Sequence, residues 1–186
     1  PFFTASLGLF ANTHAISIAD FLRAVPSKFR FWDIDISEAN ILPEPVSVAA
    51  LTVHKRLNLF LDLQKNHSDL ISQYSRLTRR SLEKSHKHNL VIVYNDTPED
   101  IIALYITNKD YHALLSCCNI AAGKSHLKTY TAHTPEGEAV AFYIVLYDKN
   151  CVYSLVGGST AKGKSMGAFY LLTNAAIQDH AGTNKI

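Results

Sequence analysis

No apolar run in this sequence is long enough to cross a bilayer, and the Pro1-Phe2-Phe3 start is not the cationic opening of a secretory leader. Neither a membrane span nor a signal peptide is predicted. Cysteine is scarce: there are 3, an odd number, and Cys117 and Cys118 are adjacent within a helical pattern. That argues against a disulfide framework and predicts buried free thiols in a cytoplasmic protein. An excess of one charge is also lacking. The 18 Lys and Arg residues against 16 Asp and Glu leave +2, too little to imply nucleic acid by itself. His112, His126 and His133 do not have metal-ligand spacing, so no metal is expected. What remains is a globular composition, 47% hydrophobic and 18% charged, in 186 residues, enough for one domain or parts of two.

The most informative stretch is Cys151 to Ile186. Cys151 to Val156 is β-branched and aromatic and predicts a strand. Gly157-Gly158-Ser159-Thr160 punctuates it, with Ser or Thr available to cap the next helix. From about Lys164 to Ala181 an apolar helical stripe runs through Met166, Phe169, Tyr170, Leu172, Ala176 and Ile177. Gly182 stands where a left-handed residue closes a helix. Strand, glycine loop and helix together predict an anion site, because free loop N–H groups and the positive helix end converge. Gly158 to Ser165 fits G-x-x-x-x-G-K-[ST], the phosphate loop of NTPases. Lys164-Ser165-Met166-Gly167-Ala168 also resembles, in reduced form, the pyrophosphate loop of GNAT-type acyltransferases.

Upstream, Ile16 to Val25 predicts an amphipathic helix stopped by Pro26. Residues 29–36, 46–53 and 58–63 predict strands. Asp33 and Asp35 share a face of the first, read mainly as a wet edge rather than an acid–base pair. Ser68 to His88 predicts one helix, with Leu70, Ile71, Tyr74, Thr78 and Leu82 as its stripe. Arg76, Arg79, Arg80 and Lys84 are its candidate partner-binding cations, against the plainer reading of a solvated face. Leu90 to Tyr94 predicts a buried-type strand, and Thr97-Pro98-Glu99-Asp100 starts a helix to about Thr107. Tyr111 to Ala122 predicts a second, capped by Asp110 and closed by Gly123. Strands near 128–132, 139–147 and 151–156, joined at Pro135-Glu136-Gly137 and Asp148-Lys149-Asn150, predict an antiparallel meander, with a further strand opening at Lys185-Ile186.

An NTPase phosphate loop normally follows a strand of a parallel sheet, so a hairpin-paired strand favours the acyltransferase reading. Tyr74 to Ser85 followed by Asn89-Leu90, and Gly157 through Leu172, resemble FemABX-like proteins, peptidoglycan-bridge aminoacyltransferases built from two GNAT domains. The resemblance implies an α/β fold (α+β, with a mixed sheet) in GNAT-like tandem, the first domain incomplete. Residues 1–65 would be the end of that domain and 66–186 the second, with 68–88 as the linker helix. It implies transfer of an acyl or aminoacyl group to an amine. The donor would bear phosphate: acyl-CoA, acyl-carrier protein or aminoacyl-tRNA. The donor would sit on Gly157, Gly158, Ser159, Gly163, Lys164, Ser165, Met166, Gly167 and Ala168, with Lys164 as counter-charge. Tyr143 or Tyr153 would carry the proton. Phe169 stands where the family pattern has a further glycine. A non-catalytic scaffold is the alternative, and an NTPase a third reading.

Overall fold

The computed structural model describes residues 17–30, 54, 57, 59–105, 111–183 and 185. The chain divides into two compact units, Phe3–Leu59 and Phe60–Ile186. In the first, helix α1 (Ile18–Arg23) opens with a capping box: the Ser17 hydroxyl accepts from the Asp20 N–H, and the Asp20 carboxylate accepts from the Ser17 N–H. These bonds hold the Asp20 carboxyl below its usual range, Ser17 contributing most. Phe29 and Arg30 are not in a strand; residues 31–36 and 46–53, and with them Asp33 and Asp35, lie outside the described residues, as does Asp110.

The second unit contains α2 (His67–Ser72), α3 (Arg76–Lys87), β1 (Val91–Tyr94), α4 (Pro98–Tyr105), α5 (Tyr111–Gly123), β2 (Leu127–His133), β3 (Ala139–Tyr147), β4 (Val152–Ser159), α6 (Ala161–Met166) and α7 (Ala168–His180). The strands form one sheet in the order β1-β2-β3-β4, and each neighbouring pair is antiparallel. The fold is thus α+β. The expected mixed sheet is corrected to an antiparallel one among the described residues, because hairpin turns reverse the chain between β2, β3 and β4. Gly137, at φ +88°, closes the first turn. In the second, the Asp148 carboxylate accepts from the Asn150 and Cys151 N–H groups at 2.7 and 2.8 Å.

Alternation decides what each sheet face buries. Tyr130, Ala132, Ala141, Tyr143 and Val145 face Ala168, Leu172, Ala175 and Ala176 of α7 in the main core. Small residues on α7 let it sit close on the sheet. The opposite face carries Thr129, Thr131, Phe142 and Ile144, also buried. Helix α5 touches β2 and α4, and supplies cover with buried Leu114 and Cys118. Burial pushes the Cys118 thiol up to about 12, with Cys117 and Glu99 adding to it, so this sulfur is chemically quiet. All three cysteines are free, but Cys117 and Cys151 are only half-buried.

Four further expectations change. The helix predicted over 68–88 is two helices. Ser75 caps α3 through the Thr78 N–H, and the Arg79 guanidinium bonds the Ser72 and Tyr74 carbonyls at the break. Strand β1 is an edge with Val91 and Tyr94 exposed, not a buried strand, because only β2 pairs with it. Helix α5 takes in Gly123 as its last residue, with Ser125 rather than glycine in the left-handed region. Residues 59–62 are not in a strand. Buried Leu63 is tied into the second unit, since its N–H donates to the Lys185 carbonyl and its carbonyl accepts from the Thr183 N–H. No helix among the described residues is long and apolar enough to cross a membrane.

Candidate functional site

The predicted glycine loop does not form. Gly157, Gly158 and Ser159 continue β4, opposite Tyr143, Phe142 and Ala141. The reason lies in what covers them. A Cβ on Gly157 would lie 2.4 Å from the Phe169 ring, and one on Gly158 would lie 2.9 Å from the Phe142 ring. These glycines make room for aromatic rings rather than for a turn. Helix α6 then begins at once. Thr160 caps it, accepting from the Gly163 N–H at 3.0 Å while its own N–H and hydroxyl donate to the Val140 carbonyl.

The helix predicted from Lys164 is therefore two helices hinged at Gly167, which has φ +73°. The Lys164 N–H donates to the Thr160 carbonyl at 2.9 Å, and the Gly167 N–H to the Lys164 carbonyl at 3.3 Å. Gly163, Gly167 and Ala168 are buried. The N–H groups of Gly163, Lys164 and Gly167 are thus committed inside the chain. The phosphate-loop reading of Gly158 to Ser165 is overturned on two counts. Residues 161–166 are helix rather than an open nest, and the preceding strand is antiparallel to its neighbour.

The same geometry joins two sets of predicted residues. A Cβ on Gly167 would lie 2.3 Å from the Ser81 carbonyl oxygen, so α3 crosses directly over the α6–α7 hinge. Lys84 Nζ reaches the Ser165 carbonyl at 3.3 Å. Exposed Lys164 and Ser165 adjoin that contact, and Arg76 and Arg80 are exposed on α3. Arg79, by contrast, is engaged at the α2–α3 corner. Lys162 is engaged as well, paired with Glu138 at 2.6 Å. The cationic candidates therefore reduce to Lys84, Lys164, Arg80 and Arg76.

The two tyrosines do not share a site. Tyr143 shares the α7 face with Val145, whereas Tyr153 lies opposite Leu146 and points to the other side of the sheet. Tyr143 is buried against Phe169, with ring centroids 5.3 Å apart. Its burial pushes its hydroxyl up, against a smaller lowering by a hydrogen bond with Ser154. Tyr153 is 47% exposed. Its hydroxyl is raised by a hydrogen bond with Cys151 and then by desolvation. Both phenols stay protonated near neutral pH, so either could donate a proton but neither is a ready base.

One feature had no signal in the sequence. Ile144 pairs with Val156 and Val145 with Ser154, which leaves Leu155 as an extra residue in β4. A bulge of this kind interrupts the ladder and leaves main-chain groups unpaired. It lies between Tyr153 and Gly157, on the strand that feeds α6.

These features describe an α+β unit: an antiparallel sheet whose bulged edge strand runs into a helix pair crossed by a basic helix. Comparison with solved structures finds the crystal structure of FemX, with a TM-score of 0.54 and 9% identity, over 66% of this chain and 50% of that one. A conserved protein of unknown function from Staphylococcus epidermidis also aligns, at a TM-score of 0.41 and 7% identity, over 55% of this chain and 43% of that one. Only the first bears on the fold, and it shows a FemX-like fold. The chain spans half the length of FemX. No family model matches the sequence, and no curated protein matches it.

Proposed function

We propose that this chain belongs to an N-acyl or aminoacyl transferase of the FemABX-like, tandem-GNAT kind, acting from a phosphate-bearing donor on an amine. The single supporting observation is the FemX-like fold, reached from a sequence whose basic helix and Gly163 to Ala168 segment already resembled that family. In this reading the donor phosphates lie on the cationic rim of Lys84 and Lys164, with Arg80 and Arg76 alongside. The buried hinge at Gly167 fixes that rim rather than binding phosphate itself. The acyl carbonyl lies against the main-chain groups freed at the Leu155 bulge, where N–H donors would stabilise the developing oxyanion. Tyr153, exposed beside the bulge, is the better placed of the two tyrosines to pass a proton.

The test uses the full-length protein with acyl-CoA, acyl-carrier-protein and aminoacyl-tRNA donors and a panel of amine acceptors. With the active donor, Lys84→Ala and Lys164→Ala should each lower kcat/KM about tenfold to hundredfold, mainly through donor KM, as expected for a lost charge-assisted contact. Turnover unchanged in both variants would refute the rim.

A second reading, the non-catalytic scaffold, is favoured by the engagement of the Gly163, Lys164 and Gly167 N–H groups within the chain. No transfer from any of the three donor classes would support it instead.

A further inference from the structure

The end of α7 is tied to the beginning of the second unit. The Gly182 N–H donates to the Lys65 carbonyl at 2.9 Å, the Thr183 N–H to the Leu63 carbonyl at 3.2 Å, and the Leu63 N–H to the Lys185 carbonyl at 3.1 Å. His180, the last residue of α7, adjoins this seam, and its carbonyl accepts from the Thr183 hydroxyl at 2.5 Å. Its side chain is buried, with the residue only 7% exposed. The Nε2 atom is buried without a hydrogen-bond partner among the described residues. We propose that His180 is a pH-sensitive latch: neutral, it lets Leu63 and Lys65 stay paired with Gly182, Thr183 and Lys185, and protonated, it releases them.

The surroundings explain why a proton has no place there. The His180 ring lies 5.4 Å from that of Tyr147, between centroids. On the same tyrosine, Lys185 Nζ stands 4.9 Å from the ring centroid, and His126 packs edge-on at 6.4 Å. The neighbouring acid, Asp179, is already engaged. It pairs with Lys128 at 2.6 Å, and the same carboxylate oxygen accepts from the Tyr130 hydroxyl at 2.9 Å. Asp148, near His126 and Lys185, is held by the main chain of its own turn.

A proton on His180 would therefore be buried near the Lys185 and Lys128 ammonium groups, on a ring whose Nε2 has no hydrogen-bond partner among the described residues. The carbonyl end of α7 favours a cation there, and Asp179 does too, but burial followed by Lys185 outweighs them and lowers the imidazole below its ordinary 6.5. In the latch, release of Gly182, Thr183 and Lys185 exposes the ring to water and returns it to its ordinary value, so opening takes up a proton. The pairing is present in full above about 6.5 and weakens as the pH falls from there towards the folded-state value.

Amide exchange at Leu63, Gly182 and Thr183 in the full-length protein, corrected for intrinsic rates between pH 5 and 8, reads this directly. The opening constant should rise by up to about tenfold per pH unit below the ordinary histidine value, and His180→Gln should flatten that slope. An unchanged slope in His180→Gln would overturn the latch. A separate measurement stands if that variant does not fold. The His180 ring should titrate below 6.5 by NMR in the wild-type protein, and a folded-state value at or above 6.5 overturns the proposal.

Discussion

Gly167→Ala should destabilise the second unit by about 3 kcal/mol or more, whereas Gly182→Ala should cost only about 1–2. The two glycines share a φ of +73°, so alanine meets the same left-handed strain at each. They differ in their surroundings. Nothing lies within 4 Å of a Cβ built on Gly182, but the Ser81 carbonyl oxygen is 2.3 Å from one built on Gly167. Main chain cannot swing aside as a side-chain tip can, so α3 would have to move off the α6–α7 hinge. Helix α3 has little apolar area to compensate, because Ser81 and fully buried Ser85 sit at the contact, Leu82 is only partly buried and Leu77 is 65% exposed. Urea unfolding followed by circular dichroism compares the two variants. Equal losses would mean that α3 does not crowd the hinge. Under the proposed function, any drop in transfer activity should follow the Gly167 variant, since the same crossing holds Lys84 beside Ser165.

Phe142→Ala should be the most damaging truncation in the sheet, at about 3–5 kcal/mol for a buried aromatic. The ring is 1% exposed and covers Gly158 of the neighbouring strand. That relation predicts coupling as well as loss. Gly158→Ala in the wild-type protein should cost about 1–3 kcal/mol by overpacking against the ring. In a Phe142→Leu background the ring edge is gone, so the same alanine should cost less, with an interaction energy of about 1 kcal/mol. A double-mutant cycle measures it, and strict additivity would show that β4 carries glycine here for some reason other than the ring.

The resemblance to FemABX-like proteins rests on stretches that the structure assembles in one place, but not in the form the motif suggests. The letters GSTAKGKS match an NTPase loop because lysine and small hydroxyl residues also suit a short capped helix, and Gly163 is needed where a Cβ would lie 2.1 Å from the Val140 carbonyl oxygen. Thr160 captures the Gly163 N–H and leaves no nest. A motif of this kind specifies composition, and the strand arrangement around it decides whether the N–H groups stay free.

Much of the unit was legible in the sequence because its signals are local. The Pro135–Gly137 and Asp148–Asn150 turns bounded β2, β3 and β4 and set the antiparallel meander, Thr97 and Pro98 opened α4, and Gly182 took its positive φ. These depend on residues within one turn or one hairpin of each other. Tertiary structure alone decided the rest. Gly157 and Gly158 became strand because rings from α7 and β3 needed the space. The basic helix broke at Gln73 to Ser75, where Arg79 found two carbonyls seven and five residues back. Tyr143 and Tyr153 parted to opposite faces, because strand pairing and the Leu155 bulge set the direction of each side chain. Residues 60–65 joined the second unit through main-chain bonds to partners more than 100 positions away, which no periodicity or cap within the segment encodes.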